Sequence, residues 1–155
     1  MSTMIKFEEE KFEEDEPPAK VEPKPAAADK FSEHEKKIFA ARCPDVNLEV
    51  ALNYCMDSRE LLIQMLSSFT DARKADKIQE KFSARDWKGY QILVHALKST
   101  ALSIGAEKLS GQAKILELAA KNKDAEKIFA NHDEMMTAYK KIREEIAGYL
   151  SEASP

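Results

Sequence analysis

Between Asp86 and Ala106 apolar side chains recur at helical spacing, and this stretch restricts the fold more than any other part of the chain. At about 100° per residue, Tyr90, Leu93, Val94, Leu97, Ala101 and Ile104 gather on one face. Such a face must be buried against other elements. The stretch also carries its own limits. Asp86 suits an N-cap, and Gly105 sits just past the far end, where a left-handed backbone conformation suits glycine without strain. His95 points away from the stripe and is expected to face water.

The neighbours of His95 separate it from an ordinary surface histidine. Ile92 lies one turn before it and Leu102 two turns after it, apolar side chains on a face that has no core to enter. Ser99, one turn on, is small and leaves the ring unshielded. Lys98, three residues on, brings an ammonium near the imidazole. An imidazole is mostly neutral near pH 7, so one ring nitrogen keeps a free lone pair. An accessible imidazole, a cation beside it and an apolar rim describe a docking face with a nucleophile at its centre.

The remaining periodicity is also helical. Phe31 to Arg42 can form a short helix with Phe31, Ile38 and Phe39 on one side, ended by Pro44. Asn47 can cap a second short piece, in which Leu48, Ala51, Leu52 and Cys55 fall at helical spacing. Ser58 can cap a long helix with the stripe Leu62, Met65, Leu66 and Phe69, running on through Ile78 to Phe82. Ala106 to Asn122 turns Leu109, Ala113, Leu116 and Ala120 inward. Asp124 begins a last helix with Ile128, Met135, Tyr139, Ile142, Ile146 and Tyr149 in an a/d-like rhythm. His132 lies on the flank of that stripe and reads as a partly buried, hydrogen-bonded histidine, and His34 as a surface one. The expected fold is all-α: an antiparallel up-down four-helix bundle with short additional N-terminal helices.

Residues 1–30 are expected to form a disordered acidic, Pro/Ala-rich tail, and residues 31–150 the helical bundle domain. The tail combines the acidic blocks Glu8 to Glu10 and Glu13 to Glu16 with Pro17, Pro18, Pro23 and Pro25. The alternative is a tether or a partner motif built on Ile5, Phe7 and Phe12.

The segment His95-Ala96-Leu97-Lys98-Ser99, followed by Ile104-Gly105-Ala106, resembles the His-x-Leu-Lys-Gly...Ile-Gly-Ala signature of histidine-containing phosphotransfer (HPt) domains. The resemblance extends from about Pro44 to about Ile146 and includes Asp86-Trp87 and Leu116-Glu117. Ser99 stands where the family usually has Gly. The resemblance implies a module that carries a phosphoryl group on His95 between a histidine kinase or phospho-aspartyl receiver and an aspartate of a response-regulator receiver domain. It implies further that the Glu117 carboxylate accepts the Nδ1 proton of His95 and leaves Nε2 as the nucleophile, with Lys98 stabilising the transferred group. Read from the residues alone, Glu117 could equally pair with Lys114 or Lys121 along its own helix. Ile92, Ser99 and Leu102 are the expected partner-docking residues.

Composition narrows the field further. A formal net charge of -4 without a clustered basic face speaks against nucleic acid. No apolar run is long enough for a bilayer, and the first residues turn acidic where a signal peptide would turn hydrophobic, so no membrane role and a cytoplasmic location are expected. Cys43 and Cys55 lack metal-ligand spacing and read as free thiols, and no metal site is expected. The four glycines are too scattered for a phosphate loop. Taken with the HPt resemblance, which implies a phosphocarrier, the chain is expected not to be an enzyme, to have no cofactor of its own, with Mg2+ coming from the partner, and to be a monomer. The alternative is a non-catalytic helical adaptor that docks receivers without being phosphorylated. A hydrolytic enzyme lacks a paired nucleophile and base.

Overall fold

The structure, a computed structural model, describes residues 30–153. The expected N-terminal tail lies outside the described residues, apart from Lys30, whose ammonium meets Asp57 at 3.1 Å. The described residues are all-helical: α1 Glu33–Arg42, α2 Leu48–Tyr54, α3 Arg59–Phe69, α4 Ala72–Ser83, α5 Trp87–Ser103, α6 Glu107–Lys121 and α7 Ala125–Ala153.

Most helix starts are set by one side chain. Ser32, Asn47, Ser58, Asp71 and Asp86 each accept a backbone N–H of the turn that follows, satisfying donors that the first turn leaves orphaned. Asp124 does the same for Lys127. The long helix expected from Ser58 to Phe82 is in fact two. Thr70 turns its hydroxyl onto the Ser67 carbonyl, and Asp71 caps a new helix through the Arg73 N–H. The reason lies in the phase of the stripe. On one continuous helix Ala75, Ile78 and Phe82 would point about 180° from Leu62, Leu66 and Phe69. The break lets both sets turn inward, with Ala75 and Ile78 buried alongside Leu62, Leu66 and Phe69. A second expectation also fails: Ile38 is exposed, while Phe31 and Phe39, packed edge to face at 6.3 Å, turn into the core beside the α1 C-cap Cys43.

The core runs through all seven helices, with Tyr90, Val94 and Ala101 of α5, Leu109, Ala113 and Leu116 of α6, and Ile128, Met135 and Ile146 of α7 among its buried members. The contact of α5 with α6 is the most extensive between any two elements. Small side chains at Ala101, Ala113 and Ala120 let the backbones approach, and buried Ser110 donates to the Lys98 carbonyl at 2.9 Å, tying α6 to the middle of α5.

The turn between these helices is fixed by Gly105, with φ +83°. Its N–H donates to Leu102 and the Ala106 N–H reaches back to Ala101, closing the last turn of α5. Its carbonyl accepts the Asn47 N–H at 2.8 Å, and a Cβ here would lie 2.1 Å from the Asn47 carbonyl oxygen. Glycine is thus required twice, for backbone conformation and for contact with the start of α2. The ends of α4 and α6 use the same closure with Arg85 and Lys123 in the left-handed position, at φ 58° and 55°.

His132 is completely buried, deeper than its position on the flank of the stripe suggested. Its Nδ1 accepts the Tyr90 hydroxyl at 2.8 Å, its Nε2–H donates to Gln79 at 2.9 Å, and its ring stacks on Phe82 at 3.6 Å. Burial holds its pKa below the usual histidine value, against a smaller opposing pull from Asp133.

Gly105→Ala should lower stability by about 2 kcal/mol or more, while Lys123→Gly, which relieves a left-handed lysine, should raise it by up to about 1 kcal/mol. Urea unfolding of both variants checks the pair. Because the folded state resists protonation of His132, its contribution is complete above the unfolded pKa of about 6.5 and is lost as pH falls towards the lower folded value. Stability measured from pH 7.5 to 5 should therefore fall with a slope to which His132 contributes, and His132→Gln should remove that part of the slope even though it is less stable at pH 7.5.

Candidate functional site

His95 lies in the middle of α5, on the side away from Val94, Leu97 and Ala101, and its side chain is 58 % exposed. Its Nδ1 meets Glu117 Oε2 of α6 at 2.6 Å. The other oxygen of the same carboxylate, Oε1, accepts from the Lys98 ammonium at 2.7 Å. One carboxylate thus holds both an imidazole nitrogen and a cation, each from the neighbouring helix. With Nδ1 engaged, Nε2 is the nitrogen on the open side of the ring.

Glu117 is only 16 % exposed and Lys98 28 %, so this pairing is partly withdrawn from water. Burial alone would raise the Glu117 pKa. The hydrogen bonds from Lys98 and His95, together with their charges, outweigh it and hold the carboxyl below its usual value. The group is therefore an anion at neutral pH, an acceptor only, and the nitrogen it faces must carry the proton.

The structure brings His95, Lys98 and Glu117 into one contact network. The pairing of Glu117 is across helices, with Lys98, and not along α6 with Lys114 or Lys121. Lys98, expected to meet a transferred group, already has a carboxylate partner in this state. Ile92, 62 % exposed, Ser99 and Leu102 are all at the surface of α5 around His95. They lie on the outward side of α5, and none of them is a hydrogen-bond partner of the Glu117 carboxylate among the described residues.

Sequence reasoning missed two groups. Ser110 fixes the register of α6 on α5 through the Lys98 carbonyl, and spacing within a chain carries no signal for such a contact. Lys74 and Lys77 flank a groove between α4 and α5 lined by Leu93, Ala96, Leu97 and Thr100. The signal that could have found them was the phase change after Phe69, which marks the start of α4. Among the described residues no group of three or more His, Cys, Asp or Glu could hold a metal ion, and no helix is long and apolar enough to cross a membrane.

An all-helical fold presenting one exposed, carboxylate-held histidine beside a lysine defines a class of histidine-bearing helical module. Residues 50–149 match the family model of the Hpt domain, and the chain belongs to that family. The chain is similar in structure to the crystal structure of the HPT domain from the Hpt sensor hybrid histidine kinase from Shewanella, with a TM-score of 0.65. The likeness covers 72 % of this chain and 97 % of that one at 19 % identity, and it speaks of the fold. No curated protein matches the chain.

Proposed function

We propose that this chain is a phosphorelay intermediate that carries a phosphoryl group on Nε2 of His95. The observation that carries the reading is the exposed imidazole whose Nδ1 is held by the Glu117 carboxylate, in a chain of the Hpt family. Membership of that family implies phosphotransfer signalling in two-component systems. The donor is a histidine kinase or a phospho-aspartyl receiver, and the acceptor is a response-regulator aspartate. In this reading α3 with α4, then α5, α6 and α7 are the four staves of an antiparallel up-down bundle, the chain acts as a monomer, and exchange takes place in the cytoplasm. Two unpaired cysteine thiols are in keeping with that compartment.

Transfer from an acyl phosphate needs little from this chain beyond a placed nucleophile. The Nε2 lone pair attacks phosphorus as the bond from phosphorus to the aspartate oxygen breaks, and the carboxylate leaves with the electron pair. The ring keeps its Nδ1 proton, gains positive character and faces the Glu117 anion. A unit pair at about 4 Å is worth about 1 kcal/mol in water and about 4 kcal/mol at an effective dielectric of 20, so the network strengthens once a partner excludes water. Lys98 neutralises part of the Glu117 charge and stands near enough to swing towards the phosphoryl oxygens. The receiver brings the Mg2+. Ser99 is small enough for the receiver's loops to pass over it, and Ile92 and Leu102 offer apolar surface for docking.

His95→Gln should abolish acid-labile, alkali-stable phosphate uptake and change stability by no more than about 0.5 kcal/mol, because the ring makes no core contact. Radiolabelled transfer and urea unfolding check the two halves. Uptake that survives in His95→Gln would assign the acceptor elsewhere. A native chain that binds receivers and takes no phosphate from them or from phosphoramidate would be the adaptor.

A further inference from the structure

Charge is divided unevenly along the chain. Residues 1–29 hold nine acidic and four basic side chains, while residues 30–155 hold nineteen and twenty. Within residues 4–16 the acids Glu8 to Glu10 and Glu13 to Glu16 are interleaved with Met4, Ile5, Phe7 and Phe12. A surface that accepts such a segment needs apolar depth and a basic edge.

Three grooves among the described residues are large enough to be considered, and the one along α4, about 530 Å³, is lined by Asp76 and Glu80 with no lysine or arginine. The one between α6 and α7, about 520 Å³, sets Asp45, Asp133 and Glu134 against Lys108 and Lys141, and Lys141 is already held by Asp45 at 2.6 Å and Glu145 at 2.8 Å, so its edge stays net acidic. The one between α4 and α5, about 270 Å³, has Ile78, Leu93, Leu97 and Tyr139 along its floor and Lys74 and Lys77 at its edge. Lys74 donates only to the Ser68 hydroxyl at 3.5 Å, and neither lysine forms an ion pair among the described residues. Ala96 and Thr100, which also line this groove, are the helical neighbours of His95 and Ser99.

We propose that residues 4–16 dock in the groove between α4 and α5, held by Lys74 and Lys77. The geometry permits it. Phe31 is pinned under Arg59 at the start of α3, and the chain from there to Lys77, along α3, across the link at Thr70 and Asp71 and into α4, measures no more than about 35 Å. The 17 residues between Phe12 and Lys30 span up to about 55 Å when extended. Tethering supplies the segment at about 1 mM, so an intrinsic Kd of about 0.5 mM leaves the groove about two-thirds filled. The docking does not rest on the phosphocarrier reading.

The test uses the full chain with Thr3→Cys carrying a nitroxide. Cys43 and Cys55 are completely buried, and burial pushes their thiols up, to about 12 and about 11, so the label reacts at residue 3. The amide signals of Lys77, Ala96 and Thr100 should broaden, while those of Gln112 and Thr137 in the α6–α7 groove should not. Broadening should fall about twofold or more between 0.1 M and 1 M salt. It should vanish in Lys74→Glu/Lys77→Glu and in Phe7→Ala/Phe12→Ala, with the Gln112 and Thr137 signals unmoved to show that the fold is intact. Absent or uniform broadening, broadening centred on Gln112 and Thr137, or persistence in both double variants overturns the proposal. Phosphoramidate uptake at His95, measured on the same samples, reports on the phosphocarrier reading alone, and its failure would leave the broadening result standing.

Discussion

The contact that the rest of the site depends on is the close pairing of α5 with α6. His95 and Lys98 lie on one helix and Glu117 on the other, so a 2.6 Å contact between them requires the two backbones to hold one register. Gly105 sets that register at the turn, where its left-handed conformation reverses the chain and its missing side chain lets Asn47 approach. Ser110 repeats the constraint a turn into α6 by bonding the Lys98 carbonyl. His95, Lys98 and Glu117 are thereby carried on helices and not on loops, the arrangement that keeps side chains within a narrow range of positions.

The chemistry then follows from how one carboxylate is shared. Partial burial would by itself favour a neutral Glu117, and the Lys98 and His95 contacts reverse that balance. An anion at this place fixes the imidazole tautomer, orients the ring and directs its open nitrogen outward. Lys98 limits the cost of keeping the anion when His95 is neutral. The buried His132 shows the opposite solution on the same scaffold. It is enclosed, hydrogen-bonded at both nitrogens by Tyr90 and Gln79 and stacked on Phe82, so its lone pair is spent on the core. Two histidines in one domain thus differ in surroundings, one facing a carboxylate at the surface and the other a hydroxyl and an amide within.

Much of this was legible in the sequence wherever the signal was local. The stripe from Tyr90 to Ile104, the Asp86 cap and the Gly105 exit specify α5 completely, and the outward position of His95 follows from helical periodicity alone. Asn47, Ser58 and Asp124 likewise announce their helices. The division of α3 from α4 was overlooked because Leu62 to Phe69 and Ala75 to Phe82 each look helical. Only the half-turn shift between them, together with Asp71, reveals two elements. The exposure of Ile38 was not legible because which side of α1 is buried, that of Phe39 and Cys43, depends on what lies opposite. Contacts between helices, such as Lys98 with Glu117, have no sequence spacing to betray them. The family resemblance supplied the Glu117 pairing with His95 that periodicity could not.

The central claim is that Glu117 holds Nδ1 and leaves Nε2 to react. It is tested most directly by phosphorylating the full chain with phosphoramidate after labelling its histidines with nitrogen-15, and reading the coupling between phosphorus and nitrogen by NMR. The account predicts one phosphorylated histidine, His95, with phosphorus coupled to Nε2 and Nδ1 still bearing its proton. Phosphorus coupled to Nδ1 would contradict it, because that nitrogen could react only if the Glu117 contact were not what orients the ring.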